Sequence, residues 1–399
     1  MTGSISTLGQ AIRQIENLNT QQAQISDLTT QLATGKRSQN YSGLSTDALA
    51  SLRSRTELSS LDVYINNIQR ADTTIQLTLR SVEEFQAQTG ELSGTLINFL
   101  QQGDHLLGED VFFDDPATPE EDPIRVGKTS SRIDADFDSV INHAQNLFGF
   151  LESTINAQQG DRYLFAGADS LERPYTDTGT LDAAVSTLIT EWKAGTITTE
   201  ELIDDLFDGT ALDGNPNAIS DSTIGFSSSL SDGNAGDVFV RADDNSEFSY
   251  TVLGNNQNFR DLIVILGVLK NENLPPIIDV YEDGVFPGVP DAVGAPGQNA
   301  AEQQDSFYQL YNELVQKAGQ AVDELDQTRF RLESVRVQIN ETSEQHIEQR
   351  QLLLNTVSSI EDVDINEVAV SITALQTRLQ ASYNVTAITQ QLTLANFLN

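Results

Sequence analysis

Every one of the ten prolines lies between Pro116 and Pro296, so residues 1–115 and 297–399 contain none, and Gly319 is the last glycine. Inside a helix proline costs about 3 kcal/mol and glycine about 1 kcal/mol. The two ends are therefore free to be helical, and their apolar spacing uses that freedom. Leu61, Ile68, Ile75 and Val82 recur every seven residues, with Ile65 and Leu79 offset by four. Towards the other end Leu325, Leu332, Ile339, Leu353 and Ile360 share one sevenfold register, accompanied by Val322 and Val335. Sevenfold repeats of this kind belong to long helices that pack on other long helices.

The stripe Ile5, Leu8, Ile12, Ile15, Leu18, Ile25, Leu28 and Leu32 predicts a first helix over residues 4–34. Gly35 to Gly43 breaks it, and a second helix is expected from about Ser45 to Leu100, a length that needs a partner. A third follows around Ile133 to Ile155. The middle is mixed: strand and turns in GDRYLFAGADSLERPY, helical spacing from Leu181 to Trp192, a helix start at Thr198 or Thr199, strands in DVFVRADD and EFSYTVL, and an apolar helix FRDLIVILGVL. A loop at Leu274–Gln298 closes it. One helix of roughly sixty residues then reaches Ile360, EDVDIN breaks it, and Val368 to Leu398 form the last. The mirrored ends predict a mainly α fold, a long antiparallel helical bundle or coiled coil made by both termini, with a central mixed α+β insert. The expected division is 1–38 with 362–399, 39–175 with 301–361, and 176–300. Terminal helices of about thirty residues with one apolar stripe are expected to order only against neighbours.

The formal charge is −37, and residues 101–300, with 36 acidic and 9 basic side chains, hold −27 of it. Nucleic acids and anionic lipid are bound by cations, so neither is an expected partner. The acidity fits a soluble, self-repelling outer face or a surface suited to salt. With no cysteine there are no disulfides, thiolate metal sites or cysteine nucleophiles. The first residues lack the apolar core of a signal peptide, and no run is long enough to span a membrane.

Motifs of chemistry fall short. GKTS at Gly127–Ser130 has Asp122 where a phosphate loop needs glycine. Asp134, Asp136 and Asp138 open like a calcium loop, but Ser139 and Gln145 stand where glycine and glutamate belong, which leaves them as helix N-terminal charge. GFSSS lacks the last glycine of a nucleophile elbow, and His105, His143 and His346 show no metal spacing. No enzyme and no cofactor are expected. His346 and Asp72 fall on the apolar registers. A polar residue there can fix pairing register; the plainer expectation, preferred here, is that the seam turns toward solvent.

Gln31 to Leu52, QLATGKRSQNYSGLSTDALASL, resembles the N-terminal signature of bacterial flagellins and their hook-associated relatives, and VAVSITALQTRLQASYNVTAITQQLTLANFLN resembles their C-terminal helix. QQGDRYLFAGADSLERPY and the closing LTLANFL are most similar to the hook–filament junction branch. The resemblance implies a structural flagellar subunit, with terminal helices lining an axial tube and the insert facing outward. It implies self-association, flagellin-family and other hook-associated neighbours, an export chaperone, and passage through the flagellar type III apparatus to the cell exterior. The implied assembly surface is the first helix stripe, Ile5 to Leu32 as above, together with Val368, Ile372, Leu375, Leu379, Val385, Ile388, Leu392 and Leu398. Filament flagellin is the alternative, and a secreted coiled-coil effector or translocator a more remote one.

Overall fold

The computed structural model describes residues 3–101, 130–194, 196–208, 215–271 and 300–397. It is mainly α, about three quarters helical, with long helices from both ends packed together and short strands only in the middle. In chain order the elements are α1 (Gly3–Thr34), a 3₁₀ segment (Tyr41–Asp47), α2 (Ala48–Gln101), α3 (Ser130–Ile155), β1 (Gln158–Gln159), β2 (Arg162–Tyr163), α4 (Thr180–Lys193) and α5 (Thr199–Phe207). They continue with α6 (Asp221–Ile224), α7 (Ser228–Ser231), β3 (Phe239–Arg241), β4 (Glu247–Ser249), α8 (Gln257–Leu269), α9 (Ala300–Glu361) and α10 (Ile365–Phe397). The GKTS segment before Ser130, the Leu274–Gln298 loop and Leu398 lie outside the described residues. The Asp134, Asp136 and Asp138 side chains do so as well, although their backbone is part of α3.

Two compact units result: residues 1–66 with 342–399, and residues 67–341. In the larger unit one apolar core joins α2, α3, α8 and α9. Phe85 stacks on Phe259 with ring centres 5.0 Å apart, Phe165 meets Phe259 edge-on at 5.5 Å, and Phe99 lies 5.0 Å from Tyr311. After Asp261, α8 is apolar on every side, the mark of a helix enclosed by others, and Phe259, Ile263, Val264, Ile265, Leu266 and Val268 are fully buried. The apolar helix within residues 176–300 thus lies at the centre of this core. The reason was present in the sequence: LIVILGVL, residues 262–269, has no polar face left to turn toward water.

Local chemistry sets the smaller elements. Thr198 and Glu201 form a reciprocal capping box that starts α5. The only tryptophan, Trp192, is fully buried and its indole N–H donates to Thr199 Oγ1 at 3.0 Å, as a buried indole requires. The two hairpins are antiparallel, β1 on β2 and β3 on β4, with Val240 opposite Phe248. In the YLFAG turn Gly167 sits at φ +66°, and a Cβ there would come within 2.6 Å of the Gly236 carbonyl, so no side chain is tolerated.

The heptad registers hold, with one correction. Ile68, Ile75, Val82, Leu325, Leu332 and Ile339 are buried. His346 does not turn toward solvent: it is 4% exposed and stacks on Tyr64 at 5.7 Å within the smaller unit. Asp72, in the larger unit, is also largely covered. Its Oδ1 accepts from Arg336 Nε at 2.8 Å and from Asn340 Nδ2 at 3.2 Å. Asp72 is retained inside because partners on the facing helix satisfy its carboxylate, and His346 is covered by ring contact with Tyr64.

Candidate assembly surface

The smaller unit is built on α1 packed along α10, with the start of α2 and the end of α9 beside their breaks. α1 ends because Gly35 takes φ +69° while its N–H donates to Gln31 O at 2.8 Å, a left-handed helix stop. α10 begins where the Asp364 carboxylate accepts from the Asn366 N–H at 2.8 Å, an N-cap. Between the helices Gln22 Nε2 donates to Tyr383 Oη at 2.8 Å.

The two breaks are tied to each other. Val363 N donates to Gly35 O at 3.0 Å and Arg37 N to Glu361 O at 2.6 Å, so the backbones form a short antiparallel bridge. The Glu361 carboxylate seals it. Its side chain, 10% exposed, accepts from Arg55 Nε at 2.7 Å, Arg55 Nη2 at 2.5 Å, Ser51 Oγ at 2.6 Å and Lys36 Nζ at 3.4 Å. Lys36 also reaches Asp362 Oδ1 at 2.6 Å. The Arg55 hydrogen bonds, with lesser help from Ser51 and Lys36, pull the Glu361 pKa down to about 2. Lys36 holds Asp362 below its ordinary value, and Asp362 in turn raises Lys36. Just beyond, Ser45 occupies φ 51°, ψ −121°, a conformation rare for serine, at the kink that leads into α2.

The residues expected to form the assembly surface divide into three sets. Val368 is buried, and Leu18, Ile25, Leu28, Ile372, Leu375 and Leu379 are half-buried where α1 and α10 run together. Ile12, Ile15, Leu32, Val385 and Ile388 are exposed, the last two by 56% each. The side chains of Ile5, Leu8 and Leu392, and all of Leu398, lie outside the described residues. Spacing alone missed Val370, exposed by 70%, and Tyr383. Between Ile365 and Phe397 the only charges are Glu367 and Arg378, so α10 has apolar side chains on more than one face while α1 covers only one. The Glu361 clamp was missed too, although a signal existed: Lys36 and Arg37 in one break answer Glu361 and Asp362 in the other.

Among the described residues no helix is long and apolar enough to cross a membrane, and no group of three or more histidine and carboxylate side chains is placed to hold a metal ion. Residues 315–398 match the family model of the bacterial flagellin C-terminal helical region. A comparison with curated proteins found no match. Among solved structures the chain is similar to one described as a flagellar hook-associated protein from Vibrio parahaemolyticus, with a TM-score of 0.40 and 10% identity over 79% of this chain and 97% of that one.

Proposed function

We propose that this protein is a structural subunit of the bacterial flagellum, assembling through the uncovered faces of α1 and α10 against neighbouring subunits. The observation that carries the reading is a coincidence of two features. The segment matching the flagellin C-terminal helical region contains α10, and α10 holds Val370, Val385 and Ile388 in water with only Glu367 and Arg378 as charges along its length. Exposed apolar patches of this kind mark interaction surfaces. Residues 1–38 with 362–399 form the inner assembly domain, residues 39–175 with 301–361 the rod, and the acidic side chains of the 176–300 region face outward, where counterions screen their charge.

Within that role the protein sits at the hook–filament junction as a protein like hook-associated protein 3. It contacts flagellin-family subunits and other hook-associated proteins, and it reaches the cell exterior through the flagellar export apparatus with a chaperone. The YLFAGADS and LTLANFL segments support this branch. Filament flagellin is the second reading, favoured by the C-terminal match itself, which both branches share. Electron microscopy of the purified protein together with a gene deletion separates them. The junction reading expects no filaments from the protein alone and unpolymerised flagellin in the medium of the deletion strain. Filaments formed by the pure protein overturn it in favour of flagellin. Normal filaments in the deletion strain overturn both.

A further inference from the structure

The larger unit holds an open cleft of about 310 Å³ that the assembly reading does not use. Thr74 and Thr78 of α2 form one side, the β1–β2 hairpin and the YLFAGADS turn a second, and the chain flanking β3 and β4 a third. The walls are fixed by main-chain hydrogen bonds. Gly254 N donates to Phe165 O at 2.8 Å, Ala168 N to Ala235 O at 2.8 Å, and Tyr250 N to Val238 O at 3.2 Å. Val238 N donates in addition to Thr251 Oγ1 at 2.6 Å. The volume is at the small end for ligand pockets.

The polar groups of the lining have capacity to spare. Thr74 Oγ1 donates to Gln159 Oε1 at 2.7 Å, which occupies the amide oxygen and leaves its NH₂ group. Across the hairpin from Gln159 stands Arg162. Neither the Arg162 guanidinium, the Asp237 carboxylate nor the Tyr163 and Tyr250 hydroxyls have a hydrogen-bond partner among the described residues. Burial raises the Tyr250 pKa and Arg162 opposes this only in part, so the hydroxyl stays protonated and able to donate. Beside these groups stand apolar surfaces, Val252 and the 55% exposed Phe239.

This lining discriminates by charge. An anion would meet Asp237, and a cation would meet Arg162. A neutral ligand whose polar groups both donate and accept meets neither penalty, and a ring with one apolar C–H face also covers the aromatic surface. The geometry points to a saccharide site: a neutral mono- or disaccharide unit, hydrogen-bonded by Gln159, Arg162 and Asp237, with its ring against Tyr250 and Phe239. The site is independent of α1 and α10, so its fate does not follow that of the assembly reading.

Saturation-transfer difference NMR on the full chain with maltose, lactose and chitobiose, each free and as its methyl glycoside, tests this. The expected result is transfer to the ring C–H protons of at least one, weakened about tenfold in affinity by Arg162→Gln and by Phe239→Ser, as for loss of one hydrogen bond or stacking face. Both side chains are exposed, and circular dichroism of the variants checks that the fold is kept. A methyl glycoside that binds as well as the free sugar assigns the site to a glycan residue; one that does not assigns it to a free sugar. Three situations overturn the proposal: no transfer from any of the six, transfer unchanged in both variants, or tighter binding of inorganic phosphate or arginine amide than of every sugar.

Discussion

Of the twenty large apolar side chains exposed among the described residues, fifteen belong to residues 1–66 and 342–399, although that unit is the smaller of the two. The larger unit buries most of its described phenylalanines, its tryptophan and nearly all of α8. Each buried aliphatic or aromatic side chain contributes about 1.5–3 kcal/mol, so the larger unit is stable on its own contacts. The smaller unit leaves that contribution uncollected on one face of each terminal helix. One chain thus combines a body that buries its own apolar surface with ends that leave part of theirs in water. What separates them is the number of neighbours: α8 is surrounded, whereas α10 has α1 on one side.

The strongest way to break this contrast is to remove the body's core. Joining Tyr175 to Ala300 through a short Gly/Ser linker deletes α8, and cooperative thermal unfolding of the larger unit is expected to disappear. A milder version, Phe259→Ala, is expected to cost about 3–5 kcal/mol in urea denaturation, because Phe85 and Phe165 are left facing a cavity. Retention of full stability by either would mean that the core is not where the body's cooperativity lies.

In the ends the most sensitive point is the clamp. Glu361→Gln removes the charge that Arg55 and Lys36 share and is expected to cost about 2 kcal/mol, reduced from a fully buried pair because both cations are partly in water. Hydrogen exchange should then speed up in α1 and α10 while α8 is unchanged. Equal acceleration in all three would merge the two units into one.

Acid sharpens the comparison because the two units respond with opposite sign. Glu361 has its pKa depressed to about 2, so its contribution is complete above its ordinary value of 4.5 and is lost as pH falls from there through 2. Asp261 in α8 is the reverse. Burial raises its pKa to about 6, with Lys317 opposing, so the folded state takes up a proton and the larger unit gains stability as pH falls from above 6 toward 3.8. Each effect is on the order of 2 kcal/mol. Asp261→Asn should flatten the larger unit's profile between pH 7 and 4 and leave the smaller unit's acid loss in place.

The smallest expected effect on stability is the most informative about function. Val385→Ser with Ile388→Ser should change monomer stability by no more than about 0.5 kcal/mol, since both side chains are already in water. Incorporation into flagella, followed by motility and electron microscopy, should nonetheless fail. Normal swimming would remove this face of α10 from the assembly surface.

Periodicity made the helices legible because their sevenfold spacing is a local property: the first helix, the α5 start at Thr198 and the final break were all readable. His346 and Asp72 were misjudged because whether a polar residue is covered depends on what faces it, the Tyr64 ring for one, Arg336 and Asn340 for the other, hundreds of residues away in sequence. The Glu361 clamp was hidden for the same reason, as it joins residues more than three hundred positions apart. The stripe residues of α1 and α10 were identifiable as apolar, but which of them α1 and α10 cover and which they leave to water follows from helix rotation, which spacing alone does not fix.

The single tryptophan gives this division of labour a spectroscopic consequence. Trp192 lies in the interior of the larger unit with its indole N–H held by Thr199, so intrinsic tryptophan emission reports on that unit and is silent about α1 and α10. Far-ultraviolet circular dichroism, by contrast, weights every helical turn. Loosening of the ends appears as loss of ellipticity at constant emission wavelength, and a gap between the two melting curves reports, without any label, how much less stable the ends are than the body.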